Sequence, residues 1–188
     1  MKVERSALPG VLIIVPDRFK DGRGFFSESW NYKSMKLHGV DMQFVQDNHS
    51  LSASLGTIRG LHFQAPPFAQ AKLVRCGRGR LFDVVVDIRV GSPTYGKWMG
   101  EELSFENGKQ LYIPTGFLHG FVTREPNTEI VYKCSNYYSP ECDGSVRFDD
   151  PDINVDWGVG SLEPVLSEKD ASAPLLKGFN SPFVFEGS

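Results

Sequence analysis

Turn-forming residues punctuate this chain about every 8 to 12 positions, and the runs between them are too short for a long helix. Those runs are rich in Val, Ile, Phe and Tyr, the side chains that sit best on a pleated, half-buried surface. Strands are therefore predicted over 11–15, 24–29, 43–50, 57–64, 70–76, 80–89, 97–104, 109–113, 117–123 and 128–134. Only two stretches look helical. One lies near residues 31–38, where Asn31 caps a short helix through Lys36 that stops at Gly39; the other lies near 167–173, where Ser167 caps SEKDASA ahead of Pro174. Many short strands and so little helix predict a mainly β sandwich or barrel, with residues 1–188 as one domain.

Charge and composition narrow the partners. The net charge is −3 and no run of lysine and arginine exists, which argues against nucleic acid. The longest apolar run near the start, VLIIV at 11–15, is too short for a signal-peptide core. Nothing approaches the roughly 18 apolar residues that span a membrane. Cys76, Cys134 and Cys142 are odd in number and form no CxxC pair. They read as reduced cysteines of a cytoplasmic protein rather than a disulfide framework. The VLIIV run also reads as a sticky edge near a terminus, so it, or the segment after it, is expected to meet a neighbouring subunit.

Side chains alternate across a strand, so parity assigns faces. Leu81, Asp83, Val85 and Asp87 share one face of their strand, opposite Phe82, Val84, Val86 and Ile88. Gln70, Lys72 and Val74 share a face, as do Phe117, His119 and Phe121, and Ile130, Tyr132 and Cys134. Each set mixes a polar group with apolar neighbours. A uniformly apolar core does not need this; a barrel with a ligand pocket does.

The stretch TIRGLHFQAPPFAQAK, 57–72, raises the sharpest question, because it sets His62 in a strand between Arg59 and Lys72. Thr57 to Cys76 reads as a hairpin with Pro66 and Pro67 near its turn, which puts His62 and Lys72 on the same side. Arg59 has the wrong parity for that face unless a bulge at Gly60 turns it inward. A lone buried histidine is ordinarily structural. Lys72 as a second costly group, Arg23 and Arg59 as anion binders, and Asp170 in the capped helix as an orienting carboxylate point instead to a site. A metal is the other option. Gly108 to His119 fits the second cupin motif, but the first motif is reduced to His62-Phe63-Gln64, and two histidines with one glutamine make a poor metal site.

RGFFSESW, FVQDNHS, TIRGLHFQ, QAKLVRC, FDVVVDIR, SPTYGKW, QLYIPTGFLHGF, YKCSNYYSP and LSEKDASAPLL follow one another across nearly the whole chain. Together they resemble the dTDP-4-dehydrorhamnose 3,5-epimerase family. The resemblance implies an antiparallel double-stranded β-helix (a cupin-like jelly roll), a homodimer, and no metal or organic cofactor. It implies a dTDP-sugar substrate, dTDP-4-dehydro-6-deoxy-D-glucose, whose C4 ketone acidifies the protons at C3 and C5. It makes His62 the base, Asp170 its partner, Lys72 the stabiliser of charge on O4 and Tyr132 the acid. Tyr138 competes for the acid role or stacks on the nucleotide, and Asp83 would hold Lys72 or His119. Binding roles carry over to Arg23, Glu28, Gln46, Asn48, Arg59, His119, Asp143 and Lys169; Asp143 stands where many relatives have glutamate. Two alternatives stay open: an epimerase that inverts only C3 or C5 of a related nucleotide sugar, and a sugar-binding cupin without catalysis.

Overall fold

The computed structural model describes residues 1–187. One sheet has six strands, in the order β1 (Lys2–Arg5), β2 (Leu12–Val15), β10 (Gln110–Ile113), β7 (Lys72–Arg78), β12 (Thr128–Cys134) and β5 (Gln46–Ser52). The second has five, in the order β13 (Asp143–Ser145), β6 (Ile58–Gln64), β11 (Phe117–Thr123), β8 (Arg80–Asp87) and β9 (Trp98–Ser104). A separate hairpin pairs β3 (Phe19–Asp21) with β4 (Gly24–Phe26). Every ladder between these strands is antiparallel. From β5 to β13 the chain passes back and forth between the two sheets, apart from the β8–β9 hairpin within one of them, which is the winding of a jelly roll.

The two helices are as short as their caps suggest. In α1 (Tyr32–Leu37) the Asn31 side chain accepts from the Ser34 amide at 3.1 Å. In α2 (Glu168–Ala171) the Ser167 hydroxyl accepts from the Asp170 amide at 3.1 Å. Among the described residues no helix is long and apolar enough to cross a membrane.

Three apolar layers follow from strand parity. Val74, Leu81, Val85, Leu111, Phe117 and Ile130 fill the space between the sheets. Val84, Val86, Leu118 and Val122 bury the outer face of the five-stranded sheet under Trp157, Phe183 and their neighbours from the C-terminal segment. Ile14, Leu73 and Tyr112 bury part of the other outer face under Met35 of α1. A strand such as β8 is thus covered on both sides, which is why it reads as a nearly unbroken apolar run.

Three sequence expectations need correction. VLIIV is not an edge: β2 is flanked on one side by β1, a charged KVER strand with no hydrophobic signal of its own, and on the other by β10. The strand expected at 24–29 ends at Phe26. And 57–76 is not a hairpin. β6 pairs with β11 and β13, whereas β7 pairs with β10 and β12 in the opposite sheet. The connection over 65–71 is longer than a tight hairpin turn and carries Pro66 and Pro67, which have no N–H for a ladder.

Candidate active site

Between the sheets lies a cavity of about 460 Å³ whose walls come from both. The five-stranded sheet contributes Arg59, His62, His119 and Phe121; the six-stranded sheet contributes Lys72 and Tyr132; α2 and its approach contribute Ser167, Lys169 and Asp170. Parity explains four of these. Lys72 and Val74, Phe117, His119 and Phe121, and Ile130 and Tyr132 share their inner faces.

Arg59 and His62 need a bulge. His119 stands opposite His62, but Phe121 stands opposite Arg59, so Gly60 and Leu61 on β6 face only Gly120 on β11. The extra residue re-aims the strand, and both side chains reach the same cavity. Glycine is required on both strands. A Cβ at Gly60, whose φ is +130°, would lie 2.6 Å from the Gly120 Cα; one at Gly120 would lie 2.9 Å from the Arg59 carbonyl.

His62 Nε2 lies 2.5 Å from Asp170 Oδ1, and Asp170 is buried. Burial opposes the charge on Asp170. Hydrogen bonds from His62, Ser167 and the Gly60 amide outweigh it and hold the carboxyl below its ordinary range. The bulge therefore serves the pair twice, by turning β6 and by donating to Asp170. With Nε2 engaged by the carboxylate, Nδ1 is the free nitrogen of His62.

A second histidine–carboxylate pair sits deeper. His119 Nε2 is 3.0 Å from both oxygens of Asp83, and neither residue is more than slightly exposed. Burial lowers the His119 pKa despite the carboxylate, which favours the neutral ring, with Nε2–H aimed at Asp83. Of the two groups Asp83 was expected to hold, it bonds to His119. Burial likewise pulls the Lys72 ammonium down and pushes the Tyr132 phenol up. Lys72 Nζ lies 6.0 Å from the centre of the Tyr132 ring.

An adjoining recess of about 180 Å³ shares His62, Lys72, Tyr132 and Lys169 with the main cavity and adds Gln46, Asn48, Gln64, Tyr138 and Asp143. At its rim Asp143 accepts from Lys169 and, at 3.3 Å, from the Tyr138 hydroxyl. Arg23 and Glu28 are not brought here. Arg23 is exposed and pairs with Asp21 at 2.6 Å, and Glu28 lines a different hollow with Phe19, Phe26 and Met35. Both follow from β3–β4 being a separate sheet. Ser50 and Thr57 also line the main cavity, and only strand parity could have hinted at them.

The cupin-type metal set is not presented. Both histidines turn Nε2 to an aspartate, and the Gln64 amide is bonded to backbone groups. Among the described residues no group of three or more His, Cys, Asp or Glu side chains is placed to hold a metal ion.

Comparison with known proteins gives the family and the fold. The sequence profile of dTDP-4-dehydrorhamnose 3,5-epimerase matches residues 5–178. The dTDP-4-dehydrorhamnose 3,5-epimerase of Sinorhizobium fredii is 53% identical over 176 residues, 94% of this chain and 90% of that protein. That of Salmonella typhimurium is 52% identical, covering 94% and 96%. The crystal structure of the Legionella pneumophila dTDP-6-deoxy-D-glucose 3,5-epimerase with dTDP-4-keto-L-rhamnose superposes with a TM-score of 0.92 at 42% identity, covering 98% of both chains.

Proposed function

This chain belongs to the dTDP-4-dehydrorhamnose 3,5-epimerase family, and from that premise we propose its reaction. It is an isomerase that inverts C3 and C5 of dTDP-4-dehydro-6-deoxy-D-glucose, giving dTDP-4-dehydro-L-rhamnose in dTDP-L-rhamnose biosynthesis. The observation that carries the reading is that His62 on one sheet faces Tyr132 on the other across a single cavity.

His62 Nδ1 takes the proton next to the ketone, and the C–H electron pair moves through the C–C bond to O4 as an enolate. Asp170 holds Nε2–H and favours the imidazolium that forms. Lys72 stabilises the charge on O4. Tyr132, kept protonated by burial, returns a proton to the opposite face, and proton exchange with water resets both groups. The same cycle serves C5 and C3. Electrons stay within the substrate, so neither step calls for an oxidant or reductant. His119, with Nε2–H committed to Asp83, offers Nδ1 to a sugar hydroxyl.

Arg59 and Lys169 attract the diphosphate from the rim, where guanidinium and ammonium groups suit phosphate oxygens. Gln46, Asn48, Tyr138 and Asp143 surround the nucleotide end. Arg23 and Glu28 serve the site of a second copy. The exposed Phe19 and Phe26 beside them, at 64% and 69% exposure, support a homodimer through this region. The chain works as one domain in the cytoplasm, consistent with three unpaired cysteines, and without nucleic acid or membrane. A monomer by light scattering at micromolar concentration would refute the dimer.

The deciding experiment is an NMR assay of the purified chain with dTDP-4-dehydro-6-deoxy-D-glucose in deuterium oxide. Deuterium should enter at C3 and C5 as the L-rhamno product appears. Inversion at one carbon only would make it a mono-epimerase, and binding without exchange would make it a sugar-binding cupin.

A further inference from the structure

Gln64 is two residues beyond His62 on β6 and is buried, yet the reaction above gives it no part. Every hydrogen-bonding direction used by its amide goes to backbone. Nε2 donates to the Phe68 carbonyl and, at 2.9 Å, to the Tyr137 carbonyl. Oε1 accepts from the Ser139 amide at 3.0 Å. A second glutamine completes the pattern from the other sheet: Gln46 on β5 accepts from the Tyr138 amide at 3.0 Å, while its own Nε2 donates to Asn48 at 3.0 Å.

Three successive backbone groups, on residues 137, 138 and 139, are thus held by two side chains anchored in opposite sheets. The residue at the centre is Tyr138. Its ring has little packing to fix it, being 58% exposed, and it lines the recess that opens from His62, Lys72 and Tyr132. Burying an amide is costly unless its bonds are met. Here they are met only by the backbone on either side of this ring and at Phe68.

We infer that Gln64 and Gln46 are positioning residues that set the Tyr138 ring as the platform for the nucleobase of the substrate. This rests on the nucleotide-sugar reading of the site. It gives Gln64 a task that neither metal binding nor catalysis supplies.

The test is the affinity for dTDP by calorimetry in wild type, Gln64→Met, Tyr138→Ala and the double variant, each checked for folding by circular dichroism. Loss of an aromatic platform for one base is worth about 5- to 150-fold in affinity. Gln64→Met should fall within that range, raise KM more than it lowers kcat, and add less than two-fold on top of Tyr138→Ala. A merely structural role would multiply with Tyr138→Ala instead. Wild-type affinity in Gln64→Met, or in Tyr138→Ala, would overturn the inference, and so would multiplying effects. Should Gln64→Met fail to fold, Gln46→Met, which releases the Tyr138 amide and Asn48 but leaves residues 137 and 139 held, is judged by the same criteria. Turnover of the dTDP-sugar by wild type, run alongside, tests the underlying reading separately. An inactive wild type sinks the reaction, whereas normal turnover with an unaffected Gln64→Met sinks only the role of the glutamines.

Discussion

Replacing Asp170 with asparagine removes one charge and almost no volume, which makes it the cleanest probe of the His62 pair. The Asn amide oxygen can still accept from Nε2–H, so the tautomer survives and only the stabilisation of the imidazolium is lost. Unit charges about 4 Å apart attract by about 4 kcal/mol at an effective dielectric near 20. Asp170 is sealed, with 4% of its side chain exposed, but His62 keeps 30% open, so water screens part of that attraction. About 3 kcal/mol remains, or about two decades in kcat, within the range of about 10² to 10⁴ usual for acid–base groups. Solvent deuterium exchange should fall in parallel with epimerisation, because both need the base. Stability supplies a second readout. The Asp170 carboxyl is held low in the folded state, so its contribution is present above the unfolded carboxylate pKa of about 4 and is lost as pH falls through the folded value. Wild type should therefore melt above Asp170→Asn at pH 7, and the gap should close in acid. A folded Asp170→Asn with kcat within about three-fold of wild type would refute the pairing as a catalytic device.

Tyr132→Phe should separate the two half-reactions: deuterium exchange with retained configuration persists, inverted product nearly disappears, and His62→Ala abolishes both. Equal loss of exchange in the two variants would show the roles to be wrong, and full epimerisation in Tyr132→Phe would move the acid to Tyr138. Burial brings the Lys72 pKa down, and discharging Lys72 removes the proposed stabiliser of O4. The alkaline fall in kcat should begin below the ordinary lysine range and move upward in Lys72→Arg; an unmoved limb would clear Lys72 of that role. Gly60→Ala must part β6 from β11, since its Cβ would meet the Gly120 Cα at 2.6 Å and the His119 carbonyl at 2.9 Å. Thermal melts should show a loss of about 2–4 kcal/mol together with lost activity, and a wild-type melt would refute the tight crossing.

Strand existence was largely legible because β-branched and aromatic runs end at Gly and Pro, and parity then placed Lys72, Asp83, His119 and Tyr132 on inner faces without any knowledge of pairing. What parity cannot do is count through a bulge. Arg59 and His62 differ by an odd number, and only the Gly60–Leu61 insertion opposite Gly120 lets both enter the cavity. Sequence could name Gly60 as the suspect but not decide it. Strand β1 was invisible for a different reason. Its KVER residues carry no alternation of polarity, and it is a strand because β2 offers it an open edge. Arg23 and Glu28 had motif support, yet a motif says nothing about which sheet, or which copy of the chain, a short hairpin will serve.

The hairpin misreading matters most, because it concerns chemistry rather than boundaries. Had 57–76 folded back on itself, His62 and Lys72 would stand side by side on one wall, with base and oxyanion stabiliser approaching the sugar from the same direction. The jelly roll sends β6 and β7 to opposite sheets. His62 and Asp170 therefore stand on the wall that carries His119 and Arg59, while Lys72 and Tyr132 share the far wall, on adjacent strands of the six-stranded sheet. Inversion needs proton removal and proton return on opposite faces of a ring held by its ketone. With the proposed roles, the two facing sheets supply those two faces. The information that does so lies in the 65–71 crossover and in which edges β6 and β7 leave open, so no pattern within either strand could have announced it.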